Sequence, residues 1–209
     1  MRLAAKVSRG ERKFLGFCER IDEYAQAIDD DAEVFGFTSG EFSLIDVIDA
    51  AVRRVSGARM VVATWTAAQA EMDHVFAFLD AGMVSGSRWI VDRSFQSRQP
   101  KLCEHLRQLY GDDAIRVQRV HCKFVLLQGS EKSALIQTSA NLNRNKRIEN
   151  ISITTCPVLI DAYGDLVKEI FGTQMPSAGF EADANVTQSF HAVAGHKRRP
   201  KTITAPWHR

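Results

Sequence analysis

The order of apolar and polar positions divides the chain into short alternating blocks. Phe14, Phe17, Cys18, Ile21, Tyr24, Ala25 and Ile28 recur at helical spacing, which predicts an amphipathic helix over Arg12–Ile28. The Asp29-Asp30-Asp31 run after it reads as a solvated loop leading into a short strand at Val34–Phe37. Ser43 is placed to cap a helix reaching Val55, and Ser56-Gly57 stops it. A strand over Ala58–Thr66, a helix over Ala67–Met83, a strand over Ser87–Asp92 and a helix near Pro100–Tyr110 follow. Gly111-Asp112-Asp113 then turns the chain into an apolar, β-branched run, Ile115–Gln128, predicted to be one strand. Ser133–Ala140 is its return after the turn Gly129-Ser130-Glu131-Lys132. Ile151–Thr155 alternates as a strand. Pro157 opens a helix through Phe171, with Leu159, Ala162, Tyr163, Leu166, Val167 and Ile170 as its buried face.

Alternating β and α units followed by consecutive strands predict an α/β fold, a mixed central β-sheet flanked by helices. The expected organisation is an N-terminal helical segment over 1–33, one domain over 34–171 and a basic tail over 172–209. At 209 residues and 45% apolar, the chain fits a single domain with segments to spare. A net charge of +2 means that any basic footprint must be local. Cys18, Cys103, Cys122 and Cys156 are far apart and show no zinc spacing, so no metal or other cofactor is expected, and buried thiols in a reducing compartment are. Met1–Lys6 is not followed by the apolar stretch of a signal peptide, and no run approaches a membrane span, so the expectation is a cytoplasmic protein.

Candidate chemistry gathers late in the chain. His121 and Lys123 are two apart, as are Ser139 and Asn141, and a strand points residues at that spacing to one face. With the hairpin centred near Glu131, His121 is expected opposite Asn141 and Lys123 opposite Ser139. An imidazole, an ammonium, a hydroxyl and a carboxamide would then share one patch able to hold a phosphate, and a one-residue slip would scatter them.

His121-x-Lys123, Ser139-x-Asn141 and the later Glu149 resemble the signature of the phospholipase D superfamily, and the match is closest to its single-motif bacterial nuclease-like members. The resemblance covers roughly residues 34–171. It departs at Gln128, where the family usually has Asp, and at Thr138, where it usually has Gly. Gln128 is an odd offset from Lys123, so on a strand it faces away from the motif. The resemblance implies a metal-independent phosphodiesterase. One imidazole attacks phosphorus to form a phosphohistidine, and a second protonates the leaving oxygen and then activates water. It implies that Lys123, Asn141 and Ser139 hold the non-bridging oxygens and that Glu149 orients an imidazole. Trp65 falls where family members line the pocket.

That mechanism needs two His-x-Lys motifs, and His74, His105, His191, His196 and His208 supply none. The second imidazole is therefore expected from an identical chain across a two-fold axis, making a homodimer. Lys197, Arg198, Arg199 and Lys201 form a basic run with Trp207 beyond it, read either as a solvated tail or as a phosphate-binding arm. Three functions compete: a nuclease acting on DNA, a catalytically impaired DNA-binding module of the same fold, and, ranked last, phosphatidyl transfer on lipid. No membrane partner is expected.

Overall fold

The computed structural model of the protein describes residues 11–144 and 146–176. Eight strands form one mixed sheet: β1 (Arg12–Phe17), β2 (Glu33–Thr38), β3 (Ala58–Thr64), β4 (Val84–Asp92), β5 (Ile115–Gln118), β6 (Lys123–Gln128), β7 (Ser133–Thr138) and β8 (Glu149–Thr154). Their order across the sheet is β1-β2-β8-β7-β6-β3-β4-β5. The pairs β1–β2, β3–β4 and β4–β5 are parallel, and β6, β7 and β8 pair antiparallel with their neighbours. The helices are α1 (Ile21–Asp29), α2 (Leu44–Val52), α3 (Gln69–Asp80), α4 (Ser94–Arg98), α5 (Pro100–Tyr110) and α6 (Pro157–Thr173).

Strands β3, β6 and β7 read as continuous apolar runs because both of their faces are covered. Met60, Val62, Val125, Leu127, Ala134 and Ile136 pack under α1, α2, α3 and α5. Their alternate neighbours Val61, Ala63, Phe124, Leu126 and Leu135 pack under α6. Burying each of the larger side chains among these stabilises the fold by about 1.5–3 kcal/mol, so the period-two alternation of β6 and β7 fixes which of their side chains face each helix layer.

Three expectations are corrected. Arg12–Phe17 is a strand, not the first turns of a helix. Gly16, at φ 62°, interrupts any helix there, and Phe14 instead stacks on Phe35 with ring centres 5.9 Å apart. The segment thus joins the same sheet as the rest. With Phe17 and Phe37 these rings form an aromatic cluster in which Phe14 is 68% and Phe17 62% exposed.

Ile115–Gln128 is two strands. The chain leaves the sheet edge after Gln118 and re-enters between β3 and β7 at Lys123. The crossing is pinned by two hydrogen bonds, Arg93 N to Gln118 O at 2.8 Å and Val120 N to the Asp92 carboxylate at 3.1 Å. On α6, the buried positions are Ile160, Gly164, Val167 and Ile170, while Ala162 and Leu166 face out. Gly164 turns the helix this way: a Cβ there would stand 3.2 Å from Gln128 Nε2, so the missing side chain lets α6 settle on β6.

Candidate active site

Strands β2, β3 and β7 end, and β6 and β8 begin, at one end of the sheet. Thr38, Thr64, Lys123, Thr138 and Glu149 therefore stand side by side. The ends of strands in open α/β sheets are where ligands bind, because the backbone there is no longer committed to the ladder.

Lys123 opens β6 on the face shared with Val125 and Leu127 and is only 6% exposed. Its Nζ lies 3.4 Å from Nδ1 and 3.3 Å from Nε2 of His121, whose ring is exposed. Burial pushes the lysine pKa below its ordinary value, and the carboxylate of Glu149 and the thiol of Cys122 oppose that shift. The ammonium thus lacks a full complement of water, and a phosphate oxygen would supply the missing negative charge.

His121 sits on the crossing between β5 and β6, just after the Val120 amide held by Asp92. Its ring meets Trp65 edge-on at 6.0 Å. Trp65 is itself covered by the Arg98 guanidinium, 3.6 Å from the ring centre, and Arg98 Nη2 donates to the Trp65 carbonyl at 2.8 Å. Arg98 Nε also donates to Ser94 Oγ at 3.0 Å, and Ser94 Oγ in turn bonds the Asp92 carboxylate. Asp92 therefore anchors both the histidine crossing and the arginine that clamps the indole.

Ser139 Oγ donates to the Glu149 carboxylate and accepts from Asn150 N at 3.1 Å. The turn carrying Ser139–Asn141 is shaped by Thr138, whose buried hydroxyl donates to Asn150 O at 2.7 Å and accepts from Ala140 N at 2.9 Å. Asn141 and Glu149 line one small cleft with Thr38, Ser43 and Arg147, and Asn141 Oδ1 is buried without a hydrogen-bond partner among the described residues. The loop from Asn141 is anchored to the end of β3 by Leu142 N, which donates to Thr66 O at 3.2 Å. Further along, it passes so close to Gly40 (φ 96°) that a Cβ there would meet Lys146 Cα at 2.7 Å.

The five motif residues are thus brought together, though not by the predicted register. Lys123 pairs with Thr138 rather than Ser139, and His121 precedes the ladder. The turn closes with Gly129 N donating to Lys132 O at 3.0 Å and Gln128 facing Ser133, one residue tighter than a hairpin centred on Glu131. The slip does not scatter the site, because His121 and Ser139 both lie outside the paired segments, where strand alternation no longer dictates direction. Gln128 lies at the far end of β6, against α6 and away from Lys123.

Sequence reasoning missed Arg98, which belongs to no motif, and the two-sided bonding of Thr138. His105, bonded to Asp73 at 2.6 Å, and His74, packed on Phe78, lie on helices that do not carry the motif. Among the described residues no group of three His, Cys, Asp or Glu side chains is arranged to hold a metal ion, and no helix is long and apolar enough to cross a membrane. Lys197, Arg198, Arg199 and Lys201 lie outside the described residues.

No family model matches the chain, and no curated protein matches it in sequence. Among solved structures the chain is similar to a polyphosphate kinase from Porphyromonas gingivalis, at 14% identity and a TM-score of 0.49, over 82% of this chain and 31% of that one. It is also similar to a phosphatidylserine synthase from Haemophilus influenzae Rd KW20, at 13% identity and a TM-score of 0.47, over 78% of this chain and 46% of that one. The chain therefore spans less than half the length of either. Likenesses of this degree carry no conclusion about its chemistry.

Proposed function

We propose that the protein is a metal-independent phosphodiesterase of the phospholipase D type, a nuclease acting on DNA through a phosphohistidine at His121. The reading rests on one observation above all: an exposed imidazole held 3.3 Å from a buried lysine ammonium, at the sheet end that also carries the Ser139–Glu149 pair.

In this reaction a ring nitrogen of His121 attacks phosphorus, the P–N bond forms and the P–O bond to the departing sugar breaks. A second imidazole gives its proton to the leaving oxygen. It then takes a proton from water, whose oxygen attacks phosphorus as the P–N bond breaks, returning His121 to its starting state. Lys123 and Asn141 neutralise and hydrogen-bond the non-bridging oxygens, where charge shifts most. On substrate binding the Ser139 hydroxyl turns from the Glu149 carboxylate and donates to the same oxygens.

The second imidazole comes from an identical chain across a two-fold axis, so the working unit is a homodimer. The aromatic cluster of Phe14, Phe17, Phe35 and Phe37 supports self-association, being a contiguous apolar surface of a kind that monomers rarely expose. Phe37 pairs with Asn150, so the cluster lies one residue from Glu149 across the sheet.

The test is cleavage of plasmid and oligonucleotide in EDTA by the native protein beside His121→Ala. Cleavage that the variant loses supports the enzyme. DNA that is retarded but intact in both samples overturns the enzyme and leaves a DNA-binding module.

A further inference from the structure

We propose that Arg88 and Arg116 form a second anion site, remote from the motif, which takes a phosphate of the nucleic-acid backbone. The choice of ligand rests on the nuclease reading above.

Arg116 on β5 pairs with Ile90 on β4, and Arg88 lies two residues before Ile90. Both arginines therefore project from the α6 face of the sheet as diagonal neighbours. Their guanidinium carbons stand 4.4 Å (Arg116) and 4.7 Å (Arg88) from the centre of the same ring, Phe171, in the last turns of α6. Arg116 is 7% exposed. Its Nη1 donates to the carbonyls of Asp113 at 3.0 Å and Ile115 at 2.8 Å, whereas its Nε is buried and bonded to nothing among the described residues.

Two like charges on one ring repel, and burying one of them adds a desolvation penalty. Burial and the Arg88 charge push the Arg116 pKa down, with only partial relief from Asp113. Among the described residues neither guanidinium forms an ion pair with a carboxylate, although surface arginines elsewhere on the protein do. Contact with the aromatic face offsets part of the cost. An anion bridging the pair would offset the rest, and the planar fork of arginine matches the geometry of phosphate oxygens.

The location suits a polyanion. Arg88 lies four residues down β4 from Asp92, about 13 Å at strand rise, and Asp92 anchors the histidine crossing. Each strand of a duplex carries a phosphate about every 3.4 Å of its axis, so a nucleic acid at the Asp92 end of β4 has phosphates to spare over such a span. The arginines and Lys123 lie on opposite faces of the sheet, and β5 is the edge strand, so the nucleic acid reaches both by passing round this margin.

The experiment measures binding of a fluorescein-labelled single-stranded oligonucleotide to full-length His121→Ala, with and without Arg88→Ala or Arg88→Lys, across a potassium chloride series. Arg88 is exposed, so its replacement does not threaten the core. The expected result is binding several-fold weaker in Arg88→Ala, with the log–log salt slope reduced by about 0.7 per lost phosphate contact, and a slope retained in Arg88→Lys. A slope unchanged in Arg88→Ala, or no oligonucleotide binding by the parent, overturns the proposal. A parallel arm follows thermal unfolding with inorganic phosphate. If phosphate protects the parent but not Arg88→Ala while the oligonucleotide slopes coincide, the pair takes free phosphate and the nucleic-acid assignment is overturned. Plasmid cleavage in EDTA by the native protein tests the nuclease reading separately.

Discussion

Lys123 Nζ lies 3.3 Å from His121 Nε2, yet the lysine is buried and the histidine is open to solvent. The pair joins a charge the fold would rather exclude to an imidazole the solvent can reach, and under the proposed function its stability cost is a trade of stability for activity.

Replacing Lys123 by Met should remove activity and stabilise the protein by about 1 kcal/mol at neutral pH, since the charge is desolvated and the methionine is not. The sign follows from proton binding. A lysine whose folded pKa lies below the unfolded value binds fewer protons when folded, so stability rises with pH through the window between those two values. The gain from the methionine should therefore be largest below that window and shrink as pH climbs toward the ordinary lysine value of 10.5. Urea unfolding of both proteins at several pH values reads it directly.

Thr138→Val keeps the shape and removes the hydroxyl that bonds Asn150 O and Ala140 N. Asn150 O keeps the Ser139 amide at 3.3 Å, so the loss falls on the part-buried Ala140 N–H and costs about 1 kcal/mol. Denaturant melts should show that loss, and turnover should fall with it because the Ser139–Asn141 turn loosens. A melt indistinguishable from the native protein would mean that the turn does not depend on Thr138.

Glu149→Gln retains a hydrogen-bonding partner for Ser139 but removes the negative charge that supports the Lys123 ammonium. The fold should survive. Activity should drop on the order of 10²-fold, the usual cost of losing an oriented catalytic partner, and the lysine pKa should fall further, which NMR of the labelled ammonium can follow.

Placing charge in the aromatic cluster, as in Phe14→Glu with Phe17→Glu, should shift sedimentation equilibrium from dimer to monomer. Turnover should fall in the same concentration range. Both side chains are largely exposed, so the isolated chain should stay folded by circular dichroism. A double variant that stays dimeric would remove this face from the assembly.

Much of the fold was legible because the central strands are long apolar runs and α5 begins at a proline and ends at a glycine, with bounds read correctly as Pro100–Tyr110. The break at Arg119–Cys122 was not. Apolar composition marks burial, and both β5 and β6 are buried; only the tertiary anchor on Asp92 shows that they lie apart in the sheet. The Arg12–Phe17 strand was hidden for a related reason: its phenylalanines match a helical period by chance, while Gly16 and the pairing with β2 decide otherwise. At the site, residue identity was legible and register was not, since one residue in the turn moves every partner on β7. Arg98 left no trace in the sequence because its role depends on an indole more than thirty positions away.

The place of β8 between β2 and β7 has a cost during synthesis. Glu33 and its neighbours pair with Thr154 and the residues around it, so the ribosome must add more than a hundred residues before β2 finds that partner. At about 5–20 residues per second this leaves the phenylalanine-rich first strands waiting for roughly ten seconds, while β3, β4 and β5 can already zip together. The nascent amino-terminal third is thus the part of the chain most in need of a chaperone, and a message cut short before Glu149 would release a polypeptide with a sticky open edge.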